Sequence, residues 1–487
     1  MFLQFLRLLA TTAKTTAKAT AQASSRAILQ DVVIVGGGPA GLSIMAALKN
    51  SPKTSHLSCT LVEGFSLDPV RTFGEEPPEN FTNRVVSLTP KSVEFMQTKS
   101  GSWPFIHEDR VKFYDNMVAY DSQDADARIH FDAGSVFDDN GNLSVIAAMS
   151  EVVNIQSSLL GKIEELNEVL PEGDEATIID KAKVVDIKID PETGLDWPVV
   201  TLDSGDSFQA RLLIGADGQN SPVRKFANIE SRGWAYDRFG VVGTIKLQFE
   251  DFRSIAWQRF LTTGPLAILP LPDDNATFVW SSTPELAEIL LKVDDEIFPH
   301  LLNAAMTLEE VDLNYIYKTL QINPADKLVI EDIEWRMSKI SQEDLEEKFP
   351  MPVAEILPGS RARFPLKYLQ ADTYCAPRVA LVGDAAHTVH PLAGQGLNMG
   401  QTDVAALVEA LEKGIDRGLD IGLTLVLENF NAVAWPNNHV LMGICDKLHK
   451  IFSTDFGPLV FIRGFGLKSL NLVDAVKDMM IRAISGR

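Results

Sequence analysis

Six consecutive residues, Gly36-Gly37-Gly38-Pro39-Ala40-Gly41, have the types and spacing to hold a pyrophosphate. Gly36 permits a tight turn, Gly38 lets the backbone approach phosphate oxygens, and Gly41 lets a helix pack closely on a strand. Glu63 follows twenty-two residues after Gly41, where a carboxylate can bind ribose hydroxyls. An acid there suits an adenosine ribose without a 2′-phosphate, hence FAD or NAD rather than NADP; this motif does not separate the two. Two further motifs bear on the choice. Asp217-Gly218-Gln219-Asn220-Ser221-Pro222-Val223-Arg224 has the form D-G-x-x-S-x-x-R, and Gly383-Asp384-Ala385-Ala386-His387 precedes Pro391-Leu392-Ala393-Gly394-Gln395-Gly396-Leu397-Asn398. Asp384, at a strand end, can accept hydrogen bonds from a polyol such as ribityl. Gly394 and Gly396 expose backbone amides at a helix start, which stabilise negative charge such as that of a reduced flavin ring.

Each motif needs a strand before it and, for two of them, a helix after it. Asp31–Val35 and Cys59–Val62 read as short buried parallel strands around a helix from Leu42 to Leu48. Leu212–Gly215 and Arg378–Val382 are strands running into the other two motifs, and a helix starts at about Leu397. The expected architecture is α/β: a Rossmann-like FAD-binding domain, a β-sheet substrate domain and a C-terminal helical tail. Because long stretches separate the motifs, the FAD-binding domain is discontinuous. Residues 29–228 form its first part, with about 111–148 joining the substrate domain, and 361–445 its second. Residues 229–360 form the substrate domain, where Val241-Val242-Gly243-Thr244-Ile245 supports sheet character. Within it, 284–350 is acidic with helical runs and is expected to cap the site; Ser341–Glu347 reads as a solvated helix. Residues 446–487 form the tail.

Charge divides the chain of 487 residues. The formal net charge is -22, which argues against nucleic acid because phosphate neutralisation needs clustered Lys and Arg. Residues 1–30 hold Arg7, Lys14, Lys18 and Arg26, seven Ala, seven Ser or Thr and no acid. That composition is expected of a mitochondrial transit peptide over residues 1–28; its removal leaves -26. Residues 447–487 carry seven Lys or Arg against three Asp, among apolar groups such as Val460, Phe461, Ile462 and Phe465. Such a tail is expected to face a membrane, whose anionic lipids attract Lys and Arg, or a partner; packing on the core explains its apolar residues equally well. Three scattered cysteines, Cys59, Cys375 and Cys445, form neither a disulfide framework nor a zinc motif. No metal site is expected: His387 and His390 lack a nearby third ligand, and packing or hydrogen bonding under a flavin is expected of both.

The three motifs, in this order, resemble the single-component flavin aromatic hydroxylases related to para-hydroxybenzoate hydroxylase, over nearly all of residues 31–445. The resemblance implies that Gly36, Gly38, Gly41, Glu63, Asp217, Gly218, Gly383, Asp384, Gly396, Leu397 and Asn398 bind FAD. Asp384 would contact the ribityl chain, and Pro391, Gly394, Gln395 and Gly396 would face the isoalloxazine. Arg84, in Asn83-Arg84-Val85-Val86-Ser87-Leu88, and Gln156 match flavin-contacting residues of the family.

Further segments narrow the resemblance. Ala256-Trp257-Gln258-Arg259-Phe260, Gly264-Pro265-Leu266-Ala267-Ile268-Leu269-Pro270-Leu271, Asp446-Lys447-Leu448, Phe452-Ser453-Thr454-Asp455-Phe456 and Arg463-Gly464-Phe465-Gly466-Leu467 look like the mitochondrial ubiquinone-biosynthesis flavin monooxygenases. The Tyr-x-x-x-Arg pair of bacterial members is absent; that region reads Phe430-Asn431-Ala432-Val433-Ala434-Trp435. The resemblance implies hydroxylation, through a flavin hydroperoxide, at ring position five of a polyprenylated hydroxybenzoate-type intermediate in ubiquinone biosynthesis. Gly264, Pro265, Leu266 and Leu269 would line the substrate. Electrons would come from ferredoxin and ferredoxin reductase, or from NAD(P)H, with docking expected at the basic run Arg224, Lys225, Arg232 and Arg238. The other implied associations are molecular oxygen, a ubiquinone-biosynthesis multi-enzyme complex and peripheral contact with the matrix side of the inner membrane. No motif identifies a catalytic base. The competing readings are another FAD-dependent phenolic hydroxylase, a polyprenyl epoxidase, and a flavin-fold prenyl-protein escort without redox chemistry.

Overall fold

A computed structural model describes residues 27–124, 126–133, 145–191, 195–390 and 394–452. Expectations for the transit peptide, for Pro391 and for the tail beyond Phe452 lie outside these residues. Among the described residues the strands form three sheets.

The first sheet is built on the cofactor motifs. Its parallel core, numbering strands along the chain, runs β19 (Val379–Leu381), β11 (Ser207–Gly215), β1 (Ile28–Val35), β2 (Cys59–Val62), β8 (Ala176–Ile179). Helix α1 (Pro39–Asn50) connects β1 to the sequence leading to β2. The run Val32–Val35 is buried because the sheet is covered on both faces, as its lack of alternation predicts. The turns at Gly36, Asp217 and Gly383 all leave the carboxyl ends of adjacent parallel strands, where ligands bind in open α/β sheets.

The second sheet is largely antiparallel. Its order is β20 (His387–Thr388), β17 (Ala362–Ala371), β12 (Ser231–Leu247), β15 (Asn275–Ser282), β14 (Gly264–Pro270), β13 (Ile255–Leu261), β5 (Asn116–Asp121), β6 (Arg128–Asp132). Two boundaries differ from expectation. Residues 361–371 belong to this sheet rather than to the cofactor half, because β17 pairs with β12 from Ser231–Ala371 to Val242–Ala362. The tail boundary at 446 falls inside α12 (Thr424–Phe452), a continuous helix.

Alternation gives the second sheet two functionally different faces. Val241, Trp257, Leu266, Ile268, Phe278 and Trp280 point to one side and pack against α6 (Pro284–Lys292), α7 (Phe298–Thr307), α8 (Glu310–Ile322) and α9 (Leu328–Met337). Ala119, Ala256, Phe260 and Leu269 point to the other, toward Tyr114, Ala147 and Met149 of a small third sheet, β3 (Val85–Leu88), β7 (Ala147–Glu151) and β4 (Lys112–Tyr114). The third sheet contacts the start of α11 (Gln395–Asp416): Ser87 O accepts from Asn398 Nδ2 at 2.8 Å. The face of Leu269 is therefore the cofactor side. The helices of 284–350 do not cap it; they cover the opposite face, because the largest apolar side chains of β14 and β15 point there. The charged helix α10 (Gln342–Lys348) buries no residue, as its composition requires.

Candidate active site

The β1–α1 turn has the geometry of a phosphate-binding loop. Gly36 has φ +109°, and a Cβ there would lie 2.3 Å from Ala216 O. A Cβ on Gly41 would lie 1.8 Å from Gly36 O. Gly38 differs: a Cβ would meet nothing within 4 Å, so the backbone faces open space just where α1 begins. Glu63, at the end of β2, accepts from Gly37 N at 2.5 Å, and Gln156 Nε2 donates to Gly37 O at 3.2 Å. The turn thus brings Glu63 and Gln156 together with the glycines.

The second motif closes on the first. Asp217 N would lie 2.9 Å from a Gly36 Cβ, and Gly218, at φ +79°, also faces open space. Asp217 Oδ2 accepts from Val223 N at 3.1 Å, while Oδ1 is buried without a partner. Burial pushes this carboxyl above its usual range, against the pull of nearby donors and of Arg224.

The third motif is held from beneath. Asp403, with no solvent exposure, accepts from Gly383 N at 3.0 Å and from His387 Nε2 at 2.6 Å through Oδ2, and from Asn438 Nδ2 at 2.7 Å through Oδ1. Gly383 packs on Ala40, closely enough that a Cβ would approach its Cβ to 3.1 Å, so the Gly-Asp loop also abuts α1. Asp384, just beyond β19, is exposed to solvent, with protein close enough around it to disfavour its charge. The surrounding protein raises its carboxyl pKa, with the charges of His387 and Arg84 pulling the other way. For His387, burial disfavours the charge, but the adjoining Asp403 outweighs it and Asp384 adds to the effect, so the net shift is upward.

Helix α11 begins at Gly394, left-handed at φ +60° beside Ser87, and Gly396 faces open space at its first turn. Gln395 is buried at that turn. The side chains of two candidates here are engaged within the protein. The Asn398 amide is fully engaged: Oδ1 accepts from Thr89 N at 3.0 Å and Ser92 Oγ at 2.7 Å, and Nδ2 donates to Ser87 O and Gly394 O. It ties α11 to the third sheet, leaving only its backbone for a cofactor. Leu397 packs into the apolar core.

The substrate-wall candidates divide by face. Pro265 and Leu269 lie on the cofactor side. Leu266 does not; it is buried against the α6–α9 layer, because alternation along β14 turns it away. Gly264 serves the β13–β14 turn: φ is +138° and a Cβ would lie 2.2 Å from Ser281 O. The basic run is also reduced. Arg224 is buried and donates to Ala385 O and Gln219 O, leaving Lys225 exposed, Arg232 exposed but paired with Asp372, and Arg238 partly buried. Among the described residues no group of three or more His, Cys, Asp or Glu side chains could hold a metal ion, and all three cysteines are buried and free.

The residues fit FAD on three observations: open backbone at Gly38, Gly218 and Gly396; the buried, partnerless Asp217 Oδ1; and an acid at each of the ribose and ribityl positions. Gly383 and His387 lie in the Gly-Asp motif, and hydrogen bonding is expected of His387 from sequence; Asp403 and Asn438 carried no signal in sequence beyond an acid within the apolar stripe of Val404, Leu407 and Leu411.

Gly38→Ala should fold with an unchanged melting temperature as apoprotein yet lose at least tenfold in FAD affinity by fluorescence titration. Gly36→Ala should instead lose stability outright, since its Cβ would strike backbone. The His387 pair predicts a pH dependence of known sign. Its pKa is raised in the folded state, so its stabilisation is complete below the unfolded value of about 6.5 and is lost as pH rises through the folded value. Denaturant unfolding should show the stability gap between wild type and His387→Asn shrinking over that rise.

A family profile described as an FAD binding domain matches residues 192–419. The mitochondrial ubiquinone biosynthesis monooxygenase COQ6 of Saccharomyces cerevisiae is 46% identical over 466 residues, covering 94% of each chain. The human protein of the same description is 32% identical over 456 residues, 93% of this chain and 91% of its own. Among solved structures, PqsL of Pseudomonas aeruginosa, a probable FAD-dependent monooxygenase, superposes with a TM-score of 0.62 at 19% identity, over 91% of this chain and all of that one; this likeness concerns the fold. With its glycine turn, Asp-Gly and Gly-Asp motifs meeting at one cleft and near-complete coverage by such relatives, the chain belongs to the family of FAD-dependent ubiquinone-biosynthesis monooxygenases.

Proposed function

We propose that this chain hydroxylates ring position five of a polyprenylated hydroxybenzoate-type phenol in ubiquinone biosynthesis, using FAD and molecular oxygen. The observation that carries the reading is the meeting of three distant motifs at one cleft beside an apolar sheet face, in a chain 46% identical to a ubiquinone-biosynthesis monooxygenase. Bound FAD supplies the oxygen-activating redox chemistry that side chains lack.

The protein's share is binding, orientation and exclusion of water. The open backbone at Gly38 and Gly218 would hold the pyrophosphate, Glu63 the ribose and Asp384 the ribityl chain. Amides at the start of α11, at Gln395 and Gly396, would stabilise negative charge on the ring system. The face of Ala119, Phe260 and Leu269 keeps water from the reacting ring.

Electron delivery is assigned to a ferredoxin and its reductase, with NAD(P)H as the alternative. Exposed Lys225 would give an acidic ferredoxin a basic contact, Arg232 of the same run being already paired with Asp372. The proposed location is the mitochondrial inner membrane, matrix side, in peripheral contact and within a multi-enzyme complex. It is supported by the basic, apolar segment 447–487 and a prenylated substrate. Among the described residues no helix is long and apolar enough to cross a membrane.

Expression in a Saccharomyces cerevisiae strain lacking its own monooxygenase tests the reading. Wild type should restore ubiquinone, while Asp384→Ala should restore less than about a tenth and accumulate an intermediate lacking the position-five hydroxyl by mass spectrometry. Failure of the wild-type chain to restore ubiquinone, or accumulation of an intermediate already hydroxylated there, would contradict it.

A further inference from the structure

Three distant segments meet beside the start of α11. Tyr236 comes from the irregularity of β12 between Ala235 and Phe239, His390 from the loop after β20, and Asp446 and His449 from the last turns of α12. The Tyr236 ring lies 5.1 Å from His390 and 4.8 Å from His449, and the two imidazoles are 4.6 Å apart. The floor is apolar: Met399, one residue beyond Asn398, clusters with Met442, Tyr368, Val389 and Leu441.

His390 is the anomaly. It has no solvent exposure, and neither ring nitrogen has a hydrogen-bond partner. Its neighbour in sequence, His387, is bonded to Asp403, and Tyr236 donates to Asp446 Oδ1 at 3.0 Å. Buried polar groups in native proteins are nearly always paired, and an imidazole among methionines is less favourable than a leucine unless something pairs with it.

We propose that His390 binds the substrate's ring hydroxyl, making this buried cluster, on opening to the ligand, the subsite that orients the phenol against the cofactor. The inference rests on the phenolic substrate proposed above. A neutral imidazole offers one acceptor and one donor, the complement of a hydroxyl that both donates and accepts. Burial pushes His390 down to about 3, with His449 adding to the shift, so it acts as a neutral hydrogen-bonding group rather than as a cation. Asp446 is the carboxylate of this cluster, and its oxygens are engaged. Asp446 accepts from Tyr236 and from Lys450 Nζ at 2.8 Å, and Arg238 acts on His449. The methionine floor suits the apolar substituent of a prenylated ring, since thioether side chains adapt to irregular apolar shapes.

The test uses the FAD-loaded full chain with 2-geranylphenol and its methyl ether, which cannot donate, and reads binding from the flavin difference spectrum. Wild type should bind the phenol about tenfold more tightly than the ether. His390→Ala should bind both alike with unchanged FAD affinity; retention of the preference overturns the proposal. A second measurement covers a variant that fails to fold. In wild type carrying 15N-histidine, the phenol but not the ether should move one imidazole resonance, identified by its loss in His390→Gln. Absence of that movement overturns the proposal. Wild type that binds neither probe overturns the phenolic reading along with it.

Discussion

Asp403 has no contact with solvent, and the cofactor half of the structure depends on how its charge is satisfied. A buried carboxylate is tolerated only with donors around it, and removing one partner of such a pair costs about 3–5 kcal/mol. The three donors come from three places: the backbone of Gly383 in the Gly-Asp loop, His387 four residues on, and Asn438 on α12. Satisfying one charge therefore fixes the loop against α11 and α11 against α12. The loop in turn sets Asp384 at the cleft and packs Gly383 on Ala40 of the glycine turn. Two motifs separated by more than three hundred residues are thereby held in one register.

Around that anchor the molecule separates two tasks. The parallel sheet carries the cofactor motifs at the carboxyl ends of its strands, while the second sheet turns one face to the third sheet and the other to a helical layer. Trp280 and Phe278, both fully buried, sit on the helical side and hold the sheet in place. The side chains of the cofactor side, Ala119, Ala256, Phe260 and Leu269, are mostly smaller. That face packs instead on the third sheet and on Phe452, whose ring stacks on Phe260 at 3.9 Å.

The parts legible in sequence are those that depend on adjacent residues. The glycine turn, the acid after β2 and the Gly-Asp loop each lie within one strand–turn unit, where conformational demands act on neighbours; Gly36, at φ +109°, is an instance. The parts not legible depend on register and on long separations. Whether Leu266 or Leu269 meets the substrate turns on strand alternation, and the identity of the inner face becomes known only once Trp280 is placed opposite Leu266. The tie that the Asn398 side chain makes to the third sheet was not legible, because its partners Thr89 and Ser92 lie about three hundred residues away. Residues 361–371 looked like the return to the cofactor half because the Gly-Asp strand follows closely, but their pairing with β12 is a tertiary choice.

The central claim is that one buried carboxylate places the cofactor loop. Substitution Asp403→Asn keeps the shape and removes the charge, leaving one acceptor oxygen where two served three donors. FAD titration of the purified variant, alongside far-ultraviolet circular dichroism, measures the consequence directly. The account predicts native secondary structure with FAD affinity reduced at least tenfold, the loop no longer held at the cleft. Native secondary structure with unchanged FAD affinity would contradict it.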